Sequence, residues 1–193
     1  MTRNEITKTF RNPPELKTDR LILRRMKRAD ADDMYEYARR PEVTKYLLWT
    51  PHPNKHYTER YLAYIQTRYY IGEFYDWAVI CRENGKMIGT CGFTSFDFAN
   101  ESAEIGYVLS PDYWGQGYAA EAIRAVMRVG FLVFGFHRIE ARFMENNVQS
   151  LRVTEKVGMK FEGIRRDAMI IKGKYENIGV SAILAEEFGK QTE

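Results

Sequence analysis

One stretch constrains the fold more than any other: Glu104-Ile-Gly-Tyr-Val-Leu-Ser-Pro-Asp-Tyr-Trp-Gly-Gln-Gly-Tyr-Ala-Ala-Glu-Ala122. It reads as strand, glycine-bearing loop and helix. Ile105, Tyr107 and Leu109 alternate with Glu104, Gly106 and Val108, the two-residue period of a strand with one face buried. Ser110-Pro111-Asp112 ends that strand, because proline fixes φ and has no N–H to donate. Over residues 118–134, Ala119, Ala122, Ile123, Val126, Met127 and Phe131 recur at helical spacing. Between strand and helix, Gly115 and Gly117 let the backbone approach a ligand closely. The helix start then offers unpaired N–H groups and a positive dipole end. A phosphate cradle is predicted here.

Two other readings compete for the same residues. Gly115-Gln116-Gly117-Tyr118-Ala119-Ala120 fits the dinucleotide fingerprint G-x-G-x-x-G/A, with Glu140 at 20 residues past Ala120. In that fingerprint the first glycine follows its strand almost directly, inside a parallel βαβ unit. Here residues 110–114 intervene and the upstream strands read as antiparallel hairpins, which argues against a Rossmann-type nucleotide enzyme. The other reading is a plain glycine turn before a core helix.

Trp114-Gly115-Gln116-Gly117-Tyr118-Ala119 resembles the acyl-CoA motif Gln/Arg-x-x-Gly-x-Gly/Ala of the GNAT N-acetyltransferase superfamily, with tryptophan at the first position. The tryptophan variant, Leu16-x-Thr18-Asp19-Arg20-Leu21-x-Leu23-Arg24, and Asn147-x-x-Ser150 leading to Glu155-Lys156-x-Gly158 are similar to the RimJ/RimL branch of ribosomal-protein N-terminal acetyltransferases. The likeness runs from about Leu16 to Leu184. It implies a GNAT fold of α+β class: a mixed, mostly antiparallel twisted sheet flanked by helices, in the order βααβββαβαββ.

The chain length of 193 residues suits one domain, predicted over 16–188 behind a flexible arm at 1–15 that carries Pro13-Pro14. A hydrophobic share of 45% is ample for a core, and a net charge of +3 is too small and scattered to argue nucleic-acid binding. No apolar run reaches membrane-spanning length, no signal peptide is recognisable, and two cysteines suggest a reducing compartment; a cytoplasmic protein is expected.

Taken in order, 20–25 reads as a first strand. Residues 29–40 read as a helix with Asp30 as N-cap and Pro41 as its stop, and 57–70 as a second helix. Residues 77–82 and 87–96 read as strands joined through Asn84-Gly85, a two-residue hairpin signal that pairs Cys81 with Ile88 and Ala78 with Cys91. That register leaves the cysteines unopposed, as buried thiols. Residues 138–143 read as a strand, 148–157 as a short helix stopped by Gly158, and 161–171 with 175–184 as a hairpin about Lys172-Gly173-Lys174.

Site roles come from the resemblance. Main-chain N–H groups of Gly115, Gln116, Gly117, Tyr118, Ala119 and Ala120 would bind the pyrophosphate of acetyl-CoA, the co-substrate. Tyr107, Val108 and Leu109 would pair with the pantetheine arm and help polarise the thioester carbonyl. Glu104 would be the general base, often acting through water; the plain reading is a carboxylate paired with an arginine. Asn147 would hold pantetheine or a substrate amide, and Ser150 would protonate the thiolate, since the tyrosine that many relatives carry seven residues after the asparagine is Thr154 here. Both residues would equally suit helix caps. Arg152 and Lys156 share a helix face and could meet the 3′-phosphate of the coenzyme, or form a solvated basic face. His52, His56 and His137 have no metal spacing, and no metal is expected. The implied acceptor is an amine, foremost a protein or peptide N-terminus such as a ribosomal protein's, with a small metabolite or antibiotic amine as the alternative. A catalytically silent acyl-CoA-binding protein also stays open. Monomer and homodimer are equally compatible, and neither nucleic acid nor membrane is expected as a partner.

Overall fold

The computed structural model describes residues 2–190. Residues 77–81 are buried without interruption, as a strand covered on both faces must be, and they belong to β3 (Asp76–Cys81), inside a single sheet. Its other strands are β1 (Leu16–Lys17), β2 (Leu21–Arg24), β4 (Met87–Asp97), β5 (Ser102–Leu109), β6 (Arg138–Met144), β7 (Lys160–Ile171) and β8 (Lys174–Leu184). They lie in the order β1-β2-β3-β4-β5-β6-β8-β7. Every neighbouring pair is antiparallel except β5 and β6. This is the mixed, mostly antiparallel sheet that the sequence predicts.

Parity along the strands sorts the core into two layers. Leu21, Leu23, Trp77, Val79 and Ile105 face α5 (Tyr118–Arg128) and α1 (Arg3–Arg11). Ala78, Ile80 and Val108 face α2 (Ala31–Ala38) and α4 (Lys55–Ile71). From β2 onward, the main elements follow the expected order, with α6 (Val148–Lys156) between β6 and β7. α1, β1 and α7 (Ala185–Lys190) have no counterpart in the sequence prediction, and a short helix, α3 (Pro41–Thr44), starts at the proline expected to stop α2.

The N-terminal arm needs correcting. Residues 3–11 form α1, started by a capping box in which Thr2 Oγ1 accepts from Glu5 N and Glu5 Oε2 accepts from Thr2 N. Ile6 and Phe10, four apart on one face, are both buried. The Phe10 ring lies 4.9 Å from Trp77 and 5.9 Å from Phe134, and Trp77 Nε1 donates to Pro14 O at 2.9 Å. Two apolar residues among polar ones hid this helix. Met1 lies outside the described residues.

Local corrections are of the same kind. Asp30 does not cap α2 with its side chain; it accepts from both Arg24 Nη atoms and from Lys27 N. Pro41 opens α3 as a first-turn residue, the position where its missing N–H costs nothing. The helix expected over 118–134 changes at Arg128 into a π-helical turn, Val129–Val133, where Gly130 packs under Ile139 and Phe93. At the β3–β4 hairpin the loop is longer than two residues: Gly85 N donates to Cys81 O, and of Asn84 and Gly85 only the glycine takes a positive φ, 73°. The register therefore pairs Ala78 with Thr90 and Trp77 with Cys91, with a bulge between Val79 and Ile80. Cys81 and Cys91 are buried free thiols.

The feature that positions the site is where β5 and β6 part. Their parallel ladder holds Ser102 to Arg138, Ala103 to Ile139 and Glu104 to Glu140, and goes no further. β5 stays on β4 to Leu109 and β6 stays on β8 to Met144. Beyond Glu104 the two facing edges therefore carry backbone groups without a ladder partner.

Candidate active site

The loop after β5 ends in two left-handed glycines, Gly115 at φ 74° and Gly117 at φ 84°. A side chain at Gly115 would meet nothing within 4 Å, so this face of the loop is open. Gly117 is the N-cap of α5 and supplies no side-chain cap, which leaves the first N–H groups of the helix, including those of Tyr118, Ala119 and Ala120, free for an anion. Two cations overlook the spot. A Cβ on Gly117 would come within 3.4 Å of Lys156 Nζ and 3.5 Å of Arg20 Nη2.

Arg20 is a residue that sequence reasoning quoted without giving it a role. Its guanidinium stacks on Tyr118 at 4.2 Å, its Nη1 donates to Gln116 O at 3.0 Å, and its Nε and Nη2 hold Glu121 Oε2. Thr18 Oγ1 also donates to Glu121, at 2.6 Å. Burial works to raise the Glu121 carboxyl, but Thr18 and Arg20 together hold it below its ordinary value. The Thr18-Asp19-Arg20 stretch thus fastens the first turn of α5 to β2. Gln116 turns its side chain back to Asp112 O. Trp114, standing where the resembled motif has Gln or Arg, donates from Nε1 to Leu109 O at 2.8 Å and so locks the loop to the end of β5. On α6, Lys156 reaches the cradle, whereas no contact ties Arg152 to it.

At the parted strands the Tyr107 hydroxyl lies 2.9 Å from Ser150 Oγ. Ser150 is placed by Asn147, whose Oδ1 caps α6 by accepting from Ser150 N at 3.1 Å. Burial pushes the Tyr107 phenol up to about 12, with Ser150 acting the other way, so the phenol is neutral near pH 7. Thr154 points elsewhere: fully buried, it donates to Leu151 O at 2.7 Å and lies 3.2 Å from Ser181 Oγ. Leu109 is buried toward α5, and Val108 packs on the α2/α4 side.

Glu104 faces the α2/α4 side, opposite Tyr107. Its Oε2 is 3.4 Å from Arg142 Nη1 and 3.4 Å from Ser95 Oγ. Arg142 also holds Glu140 at 2.8 Å, while Arg138 bridges Glu140 and Glu162. A cleft of about 330 Å³ opens beside Glu140, Arg142 and Glu162. The expected site residues therefore divide between two faces, Glu104 on one and Tyr107, Asn147 and Ser150 on the other, at the place where β5 and β6 part. His52, which sequence reading set aside, is buried with Nδ1 2.8 Å from Thr58 Oγ1, and burial lowers its pKa. Among the described residues no three His, Cys, Asp or Glu side chains are placed to share a metal ion, and no helix is long and apolar enough to cross a membrane.

The chain has relatives among known proteins in both sequence and fold. The family model described as acetyltransferase (GNAT) domain matches residues 20–160. An uncharacterized N-acetyltransferase, p20 of Bacillus licheniformis, is 34% identical over 90% of this chain and 97% of its own length. A solved GNAT-family acetyltransferase from Bacillus anthracis superposes with a TM-score of 0.79 at 29% identity, covering 90% of this chain and all of that one. RimL, a ribosomal L7/L12 alpha-N-protein acetyltransferase solved with coenzyme A, shares the fold at a TM-score of 0.73 and 19% identity, over 89% of this chain and 98% of its own.

Proposed function

This chain belongs to the GNAT acetyltransferase family, and from that premise we propose that it acetylates the α-amine of a protein or peptide N-terminus, in the cytoplasm, with acetyl-CoA as donor. The cradle suits the donor's pyrophosphate: an open, left-handed glycine loop, an uncapped helix start and the cations of Arg20 and Lys156. The donor supplies a thioester; everything else falls to the protein. Unpaired N–H groups at the end of β5 are available to a thioester oxygen in the gap. Ser150, hydrogen-bonded to the neutral Tyr107 phenol, supplies the proton to the departing sulfur. Glu104, on the opposite face, takes the proton from the amine, directly or through water.

The observation that carries the α-amine reading is how Glu104 is engaged. It shares Arg142 with Glu140, and Glu140 is held by Arg138 as well, so both carboxylates at the parting point are tied to guanidinium groups. Such a base suits an amine that already loses its proton near neutrality. An α-amine has a pKa of about 7.7–8.0, against about 10.4 for lysine. The cleft beside Glu140, Arg142 and Glu162 lies open at the surface. Ribosomal-protein acetyltransferases among proteins of the same fold point in the same direction. The buried free thiols Cys81 and Cys91 support the cytoplasmic setting.

The test is a peptide with a free N-terminus and an internal lysine, incubated with acetyl-CoA and read by mass spectrometry alongside thiol release. Acetyl on the terminus, and none on an N-blocked peptide, is expected. Acetyl on lysine alone, activity confined to small-molecule amines, or no thiol release with any amine would overturn the reading.

A further inference from the structure

A second cleft continues along the Glu104 face of β6, and its electrostatics differ from the first. In the first, Glu140 and Glu162 stand against Arg142 and Arg165, and Arg138 bonds to both acids. The second, about 490 Å³, begins at Met144, with Lys45 among its walls on the α3 side and Lys172 and Lys174 at the turn between β7 and β8. The single carboxylate in its lining is Glu176. Lys17, Lys55, Lys86 and Lys160 elsewhere each sit on a carboxylate. Among the described residues the cleft lysines have no carboxylate in salt-bridge reach: Lys172 Nζ donates to Thr44 O at 2.6 Å, pinning the hairpin turn to α3, and Lys45 Nζ lies 5.0 Å from the centre of its neighbour Tyr46's ring. The floor is apolar, with Met144 and Ile171 packed together and Tyr46 against them. Three lysines against the one carboxylate of Glu176 leave net positive charge over an apolar floor, which attracts a carboxylate on a short side chain.

The cleft stands close to the parted strands. Met144 ends β6, and Asn147, three residues on, caps the helix that carries Ser150. An extended peptide advances about 3.3 Å per residue, so an acceptor whose amine lies in the gap reaches this cleft with about its second to fourth residue. We propose that the Lys45–Lys172–Lys174 cleft is a subsite for an acidic side chain of the acceptor, two to four residues after the acetylated amine. This inference rests on the peptide reading above and adds a substrate class to it.

Three peptides sharing one free N-terminal residue, with Glu, Ser or Lys at positions two to four, test it by kcat/KM from thiol release. The acidic peptide is expected to exceed the basic one by about tenfold at low salt, with the difference shrinking at about 0.5 M salt. The order is expected to reverse in a Lys45→Glu/Lys174→Glu variant, whose two positions are exposed and outside the core. Equal kcat/KM for the three peptides, or an acidic preference that survives the double substitution, overturns the subsite and leaves N-terminal acetylation standing. Acetylation of none of the three overturns both.

Discussion

Tyr107 and Ser150 meet through their hydroxyls at 2.9 Å, and this contact joins the free end of β5 to the first turn of α6. The phenol is buried and neutral, the serine is held at its backbone by Asn147, and the pair lies across the parted strands from Glu104. A thiolate leaving toward α6 would therefore find a proton donor whose own hydrogen-bond partner is already in place.

Ser150→Ala is expected to lower kcat by about 10- to 100-fold while leaving acetyl-CoA affinity unchanged, because the proton matters only as the sulfur departs. Thr154→Val should leave kcat alone and cost about 1 kcal/mol of stability through its lost buried hydrogen bonds. Steady-state kinetics beside denaturant unfolding separate the two; a kcat loss in the threonine variant and none in the serine variant would reverse the assignment.

At Gly117 a valine would meet two obstacles, the φ of 84° and the cations of Lys156 and Arg20. Gly117→Val should weaken acetyl-CoA binding about tenfold or more in a protein that still folds. Titration calorimetry giving an unchanged dissociation constant would remove the cradle from the coenzyme site.

Glu104→Gln should cost most at low pH. There the acceptor amine is mainly protonated and a base is needed; at high pH the free amine already dominates. The ratio of wild-type to variant kcat/KM should fall steadily as pH rises from about 6 to 9. A ratio independent of pH would leave Glu104 as a mere partner of Arg142.

Asp76 offers a test on stability. Burial raises its carboxyl from the ordinary 3.8 to about 7, against opposing hydrogen bonds from Thr90 and the Trp77 amide. Between those values the folded state holds a proton that the unfolded chain gives up, so this residue's contribution is greatest below 3.8 and is lost as pH rises through about 7. Asp76→Asn should therefore gain stability, and with it Tm, relative to wild type across that window, by an amount on the order of 4 kcal/mol at most. Thermal melts at pH 4 and pH 8 showing the same difference would contradict it.

Phe10→Ala should destabilise by about 3–5 kcal/mol, since its ring is fully buried against Tyr75, Trp77 and Phe134. Urea unfolding with a loss below about 1 kcal/mol would mean that α1 is a loosely held appendage after all.

What could be read in the residues was local chemistry with a fixed period. Glu104 to Leu109 alternates, Gly115 and Gly117 precede an apolar helical stripe, and Gly158 stops α6 with φ at 87°, each legible without knowing its neighbours. What could not be read was which distant groups converge. Parity sent Glu104 and Tyr107 to opposite faces but could not name Arg142 or Ser150 as their partners. Arg20 lies on the far side of the sequence from Glu121, and only folding reveals that it braces the cradle helix. The Asn84-Gly85 signal announced a hairpin correctly but not its loop length, so the register differs from the expected one at the turn and shifts once more at the bulge between Val79 and Ile80.

The docking of α1 also carries a cost in time. Phe10 leaves the ribosome long before one ring that closes over it, Phe134, which is made only after β3, β4, β5 and α5. At ordinary elongation rates of about 5–20 residues per second, that interval is roughly 6 to 25 s. Throughout it the nascent chain presents an apolar stripe, Ile6 and Phe10, with no complete surface to receive it. The stripe of α1 is thus made well before the last ring that covers it, and during that interval it is open to chaperones and to other nascent chains.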